Sequence, residues 1–378
     1  MKKNNLSPLL KRAGGKEQEL KYIIPALPEK FNNYYEPFVG GGAVYFSLEA
    51  NKYFINDKSE ELIGLYKIIT SNDRDDFFGV LDEIIHNWEI LGNIVIKNNN
   101  SFFVNLYKNF SNNTIDEFSL KDKITEFILS HTKEFNGMFV TTFNHNIDNF
   151  IKEINRNLFG KIKRMKVIEK AKGKLPENDI LDNIETALKS AFYMHFRYLY
   201  NNKLRYNLKH SYIIAIFLFI RNYAYSGMFR YNKSGGFNVP YGGIGYNNKN
   251  FKKKIDYLKS NELFMHLEKT VVDNKDFETF FIDNEPKKDD FIFLDPPYDS
   301  EFSTYDKNVF NRDDQKRLAN YLIKECKAKW MMIIKNTDFI FELYNKKGLN
   351  IKTFDKKYLV SFMNRNDKDV KHLLITNY

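Results

Sequence analysis

The sequence contains a single cysteine, no long apolar run and no histidine cluster. Cys326 alone among 378 residues excludes an internal disulfide and indicates a reducing compartment. The longest apolar run, Tyr212 to Ile220, is shorter than the roughly 20 residues that a membrane-spanning helix needs. His131, His195 and His210 lack metal-ligand spacing, so no metal site is predicted.

Charge and composition indicate where the protein is located, what kind of partner it binds and how large a core it can form. The N-terminus has cations but no apolar segment after them, so we expect no signal peptide and a soluble, cytoplasmic protein that does not bind membranes. The net charge of +10 and the pI of about 9.1 favour a polyanionic partner, although the Lys, Asn, Ile, Phe and Tyr bias is also typical of AT-rich coding sequences. An apolar content of 43% is sufficient for a large core in one domain or two.

The most informative stretch is an apolar run that stops at a carboxylate, two prolines and an aromatic ring. Phe291 to Leu294 are typical of a central parallel strand covered on both faces. Pro296 and Pro297 end the strand, at the edge where open α/β sheets bind ligands. Asp295 and the Pro296 carbonyl can each accept an N–H of an aromatic amine, which frees its lone pair for attack, while Tyr298 stacks on the ring. The alternative is an ordinary strand and Pro-Pro turn.

A glycine-rich segment predicts a nucleoside site. Tyr34 to Val44 indicate a strand, a glycine turn and a helix running to about Ala50, and Tyr53 to Asn56 a second strand ending at Asp57. An acidic residue about 20 positions after such a turn is the arrangement that binds ribose hydroxyls. The glycines do not follow G-x-G-x-x-G, so a nucleoside without phosphates, such as S-adenosylmethionine, fits better than a dinucleotide.

Two weaker patterns accompany these motifs. Lys11 to Lys16 form a small-residue turn flanked by cations, either a basic loop or a backbone nest with Lys16 beside a carboxylate. Thr270 to Asp273 predict a strand, after which Asp276 and Phe277 can hold an adenine by a hydrogen bond and an apolar contact.

The middle of the chain, from 71 to 211, is predicted to be mostly helical. Apolar residues recur there at helical spacing, as at Ile180, Ile184 and Leu188. The basic run from Lys161 to Lys174 can contact phosphates, but a solvated helix face is the commoner explanation.

Residues 221–243 predict a β-hairpin rich in Arg, Asn, Lys and Tyr. Arginine reads guanine, asparagine reads adenine, and tyrosine stacks or wedges where a base has left the helix, so the hairpin suits DNA. The alternative is an aromatic hairpin without a DNA role in a Tyr-rich protein.

Near the C-terminus, Asp313 to Lys327 indicate a helix and Trp330 to Ile334 a strand. Tyr358 to Phe362 and His372 to Thr376 indicate a closing antiparallel pair. Strands and helices therefore alternate at both ends of the chain, which predicts one α/β domain assembled from two separated pieces.

Together these segments resemble the Dam-type, D12 class N6-adenine DNA methyltransferases. The resemblance covers Leu10 to Tyr66 and Ile220 to the C-terminus. Its motifs, in the family's order, are Ala13-Gly14-Gly15-Lys16, Glu36 to Gly42, Asn56-Asp57, Arg230-Tyr231-Asn232 with Phe237 to Pro240, Asp295 to Tyr298, and Leu373 to Tyr378. The resemblance implies a Rossmann-like, S-adenosylmethionine-dependent methyltransferase domain, residues 1–70 and 266–378. It also implies an inserted, largely helical target recognition domain, residues 71–265, which carries the hairpin.

The resemblance also implies which residues form the sites. The catalytic residues are Asp295, Pro296, Pro297 and Tyr298. The cofactor-binding residues are Arg12, Gly14, Lys16, Phe38, Gly40, Gly42, Asp57, Asp276, Phe277 and Asp295. The residues selected for DNA contact are Arg221, Tyr225, Ser226, Met228, Arg230, Asn232, Lys233, Asn238 and Pro240.

Within these sets, Arg230 matches the family's guanine-reading arginine and Tyr225 the aromatic beside the flipped base. Three positions depart from the family. Arg12 replaces a usual aromatic, which questions a stacking contact to the cofactor. Ser226 replaces a common asparagine and Met228 a common leucine, so the target can differ from GATC, the leading expectation.

The resemblance predicts methyl transfer from S-adenosylmethionine to N6 of an adenine flipped out of duplex DNA, without a metal. Cytosine-N4 methylation stays open, because the same acceptors serve either amine, although Asp at 295 favours adenine. A non-catalytic DNA-binding protein and an RNA substrate are further alternatives. A cognate restriction endonuclease, without direct contact, is a possible partner in a restriction–modification system, and the chain is expected to be a monomer or weak dimer.

Overall fold

The computed structural model describes residues 6–10, 16–94, 98–138, 145–228, 230–298, 310–357 and 369–378. The strands are β1 (Asn33–Glu36), β2 (Lys52–Asn56), β3 (Thr270–Asp273), β4 (Phe291–Leu294), β5 (Lys329–Lys335), β6 (Asn350–Lys357) and β7 (Asp369–Thr376). The α-helices are α1 (Leu20–Ile23), α2 (Glu60–Ile68), α3 (Arg74–Asn93), α4 (Asn100–Ser111), α5 (Glu117–Ser130), α6 (Thr132–Gly137), α7 (Ile147–Lys172), α8 (Glu177–Asn201), α9 (His210–Tyr223), α10 (Phe251–Lys259), α11 (Asn261–Glu268), α12 (Phe277–Asn284), α13 (Arg312–Asn320) and α14 (Asp338–Tyr344).

The chain divides into two compact units. The first comprises Met1–Asn72 and Tyr257–Tyr378, and the second comprises Asp73–Asp256. No helix in the described part of the chain combines the length and the apolarity that crossing a membrane requires.

The first unit is built on a seven-stranded sheet in the order β3-β2-β1-β4-β5-β7-β6. The pairs among β1 to β5 are parallel, and β7 is antiparallel to both β5 and β6. The order 3-2-1-4-5 is that of doubly wound α/β sheets. The predicted α/β fold, assembled from two separated pieces of chain, is therefore confirmed.

Strand β4 lies in the middle of this sheet, between β1 and β5. All four of its residues are buried, which explains why its sequence is a continuous apolar run and not an alternating one. Ile292 and Leu294 pack into a core with Trp330 and with apolar residues of α12 and α13. The backbone of Asp295, the next residue, is therefore held in place by the buried strand.

The predicted helix from the glycine turn to Ala50 is wrong. Only a single 3-10 turn, Tyr45–Ser47, forms between Gly42 and β2. The backbone N–H of Tyr45 donates to the carboxylate of Glu36 at 3.1 Å, and the backbone becomes extended at Leu48, where the turn ends.

The strand that closes the sheet is also different from the prediction. β7 contains the predicted His372 to Thr376, but its observed partner is β6. The predicted partner, Tyr358 to Phe362, lies outside the described residues.

The second unit is helical, as predicted for this part of the sequence. Its longest helices, α7 and α8, pack antiparallel: Asn149 Nδ2 lies 3.2 Å from His195 Nδ1, and Ser190 Oγ donates to Asn157 Oδ1 at 2.9 Å.

The predicted hairpin begins later than expected. Residues 221–223 form the last turn of α9, because the buried apolar face of that helix continues through Tyr223. After the helix the chain forms two antiparallel bridges, Ala224 with Tyr241 and Tyr231 with Phe237.

Candidate active site

Three adjacent parallel strands, β2, β1 and β4, end at one edge of the sheet. The residues after parallel strands therefore share that edge, which is where ligands bind in this architecture. Glu36, Asp57 and Asp295 all lie at these strand ends.

Asp295 forms an ion pair with a buried lysine. Lys16 Nζ lies 2.5 Å from Asp295 Oδ1, and the side chains are 4% and 24% exposed. The Lys16 ammonium also lies 5.8 Å from the centroid of the Tyr298 ring. Because a buried ammonium strongly needs a counter-charge, the pair fixes the carboxylate through Oδ1. Arg12 and Gly14 lie outside the described residues.

Glu36 is a buried acidic residue that the sequence did not single out as a site residue. Its Oε2 accepts from the Tyr34 hydroxyl at 2.7 Å and from the Tyr45 backbone N–H at 3.1 Å. Burial raises the pKa of Glu36 well above its ordinary value; the hydrogen bond from Tyr34 opposes this shift, and the charge of Asp295 adds to it. The available signal was an acidic residue directly after the two tyrosines of a predicted strand.

Asp57 is oriented by two backbone groups. Its Oδ2 accepts from Gly40 N at 3.0 Å and its Oδ1 from Ser59 N at 2.9 Å. The Tyr66 hydroxyl in turn donates to the Gly40 carbonyl at 3.1 Å. Each carboxylate oxygen has a second lone pair, so Asp57 can still accept hydrogen bonds from two vicinal hydroxyls.

The glycine turn is closely packed at Gly42. Its φ is +79°, and a Cβ there would lie 2.6 Å from the Tyr66 hydroxyl oxygen and 2.9 Å from two ring carbons of Phe46. Glycine is therefore required both for backbone conformation and for space.

Asn56 connects the ends of β1, β2 and β3. Its Nδ2 donates to the carbonyls of Pro37 and Lys275, at 3.1 and 3.0 Å, and its Oδ1 accepts from Lys275 N at 2.8 Å. These bonds bring the segment that contains Asp276 and Phe277 beside the glycine turn.

Asp276 caps α12 and contacts two cations. Lys58 Nζ lies 3.0 Å from one oxygen, and Arg317 donates to the other at 2.8 Å. Burial disfavours the charged form, but the bonds from Lys58, from the Glu278 backbone N–H and from Arg317 together hold the pKa of Asp276 below its ordinary value.

Three aromatic rings lie next to this cap. Phe38 lies 5.8 Å from Phe277 and 5.5 Å from Phe310 between ring centroids. Phe277 is buried and Phe38 only partly buried, so an apolar surface adjoins the carboxylates of the strand ends.

The residues selected for DNA contact lie in the second unit and differ in exposure. The exposed ones are Tyr225, Ser226, Arg230, Asn232, Lys233 and Pro240. Asn238 is partly buried, while Met228 and Arg221 are buried, and Arg221 donates to the Gly227 carbonyl at 3.2 Å.

The hairpin positions two of these side chains. Asn232 Oδ1 accepts from Gly236 N and from Ser234 Oγ, both at 2.8 Å, and so closes the turn. Arg230 Nε donates to Asn238 Oδ1 at 3.0 Å across the hairpin.

The sheet order and the acidic strand ends are those of a Rossmann-like fold, and the comparison with protein families places the chain among the methyltransferases of this class. The family profile described as D12 class N6 adenine-specific DNA methyltransferase matches residues 13–172 and 139–360. The chain belongs to this family, so the resemblance drawn from its motifs is confirmed, and adenine-specific DNA methylation is the activity that membership assigns to it.

Individual relatives agree with this assignment. The chain is 27% identical to the Type II methyltransferase M.MjaIII of Methanocaldococcus jannaschii over 395 residues, 99% of each protein. It is 38% identical to the Type II methyltransferase M.CviBI of Paramecium bursaria Chlorella virus NC1A over 169 residues, which cover 44% of this chain and 61% of that relative. It is 24% identical to the DNA adenine methylase of Haemophilus influenzae over 353 residues, 89% of this chain and 82% of the relative.

Proposed function

We propose that the protein transfers a methyl group from S-adenosylmethionine to N6 of an adenine flipped out of duplex DNA, with GATC as the first target to test. The observation that carries this proposal is the Asp295 carboxylate, fixed by Lys16 at 2.5 Å, immediately after the central buried strand.

The residues at the strand ends fit the cofactor. The two backbone N–H groups on Asp57 orient its carboxylate for ribose hydroxyls, and Gly42 lacks the Cβ that would fill the turn. Phe38 and Phe277 supply an apolar surface for the adenine ring, with Asp276 as the acceptor for its amino group. When bound, S-adenosylmethionine supplies an electrophilic methyl group on a positively charged sulfur.

The tetrapeptide activates the target amine. Asp295 and the Pro296 carbonyl accept its two N–H groups, so the nitrogen lone pair leaves conjugation with the ring and can attack. Lys16 occupies Asp295 Oδ1, which leaves Oδ2 as the acceptor. Tyr298 stacks on the flipped base, a contact worth about 1–3 kcal/mol.

The hairpin reads the target sequence. The bond from Arg230 Nε to Asn238 fixes the guanidinium and leaves both terminal nitrogens for guanine. Tyr225, 50% exposed, is available for the gap left by the flipped base. Arg221 and Met228 are buried, so we assign them to support of the hairpin loop and not to direct contact.

The partner expectations carry over as part of the proposal. Duplex DNA is the substrate, and the chain acts as a monomer or weak dimer. A restriction endonuclease acts at the same DNA sequence without contacting this protein. Cytoplasmic location follows from this role.

The deciding experiment is expression in a host that lacks DNA methylation, followed by sequencing of its genome with detection of modified bases. We expect N6-methyladenine at one short motif, and none with Asp295→Ala, a variant that should still bind DNA. Modified cytosine, or activity of Asp295→Ala within a few-fold of wild type, would contradict the proposal.

A further inference from the structure

Two fully buried side chains outside the motifs contact the catalytic tetrapeptide. Gln315, in α13, donates from Nε2 to the Pro297 carbonyl at 2.7 Å. His372, in β7, has its Nε2 3.1 Å from the Tyr298 hydroxyl oxygen.

We propose that Gln315 and His372 are positioning residues, which set the direction of the Pro296–Pro297 segment and the plane of the Tyr298 ring. This inference rests on the proposed function, because it assumes that Tyr298 stacks on the target base.

His372 is well placed to fix a ring. The antiparallel ladders pair it with Lys335 of β5 and Phe354 of β6, so its backbone is held on both sides. The rings of Tyr298 and His372 meet edge to face, with centroids 5.6 Å apart and an interplanar angle of 68°. Tyr298 is only partly buried, so its hydroxyl end is anchored while part of the ring stays accessible to a base.

Gln315 replaces hydrogen bonds that the prolines remove. Neither Pro296 nor Pro297 has a backbone N–H, so the segment after β4 cannot be held by donating to the neighbouring strands. Gln315 lies in the first turns of α13, whose start is fixed by a capping box between Asn311 and Asp314. Its amide therefore holds the Pro297 carbonyl from a rigid element, and the ring of Pro297 passes that constraint to the adjoining Pro296 peptide.

The test for His372 measures steady-state methyl transfer to unmethylated plasmid DNA at varied concentrations of S-adenosylmethionine. We expect His372→Phe to lower kcat about 3- to 10-fold, as for loss of one aligning hydrogen bond, with KM for S-adenosylmethionine within two-fold of wild type. His372→Gln, which can restore a polar group near the hydroxyl, should recover most of the rate. His266→Phe is the matched control, because His266 is also buried in the first unit but packs on Tyr45, Phe46 and Tyr53.

A double-mutant cycle separates positioning from a general structural effect. If His372 acts through the Tyr298 hydroxyl, adding Tyr298→Phe to His372→Phe causes little further loss. The role of His372 would be overturned if the kcat losses of the two single variants multiplied in the double variant. It would also be overturned if the kcat of His372→Phe equalled that of wild type or of His266→Phe. For Gln315, we expect Gln315→Met, which keeps the volume and removes the donor, to lower kcat with an unchanged KM for S-adenosylmethionine. A kcat equal to that of wild type would refute the positioning role of Gln315.

Tyr298→Ala separates the proposed stacking role of Tyr298 from the positioning roles of Gln315 and His372. If it is nearly as active as wild type, the stacking role in the proposed function fails. If it is inactive while the Gln315 and His372 variants are normal, only the positioning inference fails.

Discussion

Replacing Gly42 by alanine tests how tightly the proposed cofactor turn is packed. The new Cβ would lie 2.6 Å from the Tyr66 hydroxyl oxygen and 2.9 Å from two Phe46 ring carbons. Neither neighbour can yield easily, because Tyr66 donates to the Gly40 carbonyl and both rings are fully buried.

The expected effect has two parts. Alanine at a φ of +79° loses about 1–2 kcal/mol, and forced repacking of a filled core adds about 1–3 kcal/mol. We therefore expect Gly42→Ala to lower the free energy of unfolding of the first unit by about 2–5 kcal/mol and to weaken S-adenosylmethionine binding.

The chain offers a matched control and separate reporters. Gly348 has φ +92° with nothing within 4 Å of its Cβ position, so Gly348→Ala should show the backbone part alone, about 1–2 kcal/mol. The two tryptophans lie in different units, Trp88 in the second and Trp330 in the first. Urea unfolding followed by fluorescence in a Trp88→Phe background therefore reports the first unit. Equal losses for Gly42→Ala and Gly348→Ala would refute the close packing at Gly42.

Two further predictions concern acid stability and target choice. Burial, with a smaller contribution from a nearby lysine, lowers the pKa of His266 from 6.5 to about 4, so its stabilising effect is fully present above pH 6.5 and is lost as the pH falls towards 4. We expect His266 alone to lower the free energy of unfolding of the first unit by about 2 kcal/mol between pH 7 and pH 5, with a flatter profile for His266→Phe; equal slopes would contradict this. Arg230→Ala should reduce discrimination for the guanine about 10- to 100-fold in methylation of matched and single-base-variant duplexes, whereas Lys233→Ala should weaken binding to all duplexes alike.

Features with a local cause could be predicted from the sequence. The central strand β4 was evident because burial on both faces requires a continuous apolar run, and the prolines mark its end. The helical second unit follows from apolar spacing, and the family from the order of its motifs. The failed helix after Gly42 shows the limit, because the backbone becomes extended at Leu48 although Leu48, Glu49 and Ala50 are all residues with good helix propensity.

Contacts between distant positions could not be predicted in this way. Lys16 and Asp295 are 279 positions apart, and no periodicity relates them. Gln315 and His372 lie 18 and 74 positions from the tetrapeptide residues that they contact. The apolar patterns of α13 and β7 predict which residues enter the core, and they do not predict these contacts.

The sequence by itself determined the family, the strand that carries Asp295 and the types of side chain available for chemistry, because motif order and apolar spacing are properties of the chain. Only the tertiary structure decided which cation meets Asp295, that Glu36 is buried with a raised pKa, and which hairpin residues are exposed. The physical reason is that ion pairing, desolvation and exposure depend on which residues pack around a group in space. In this fold the sheet brings together residues from both ends of the chain.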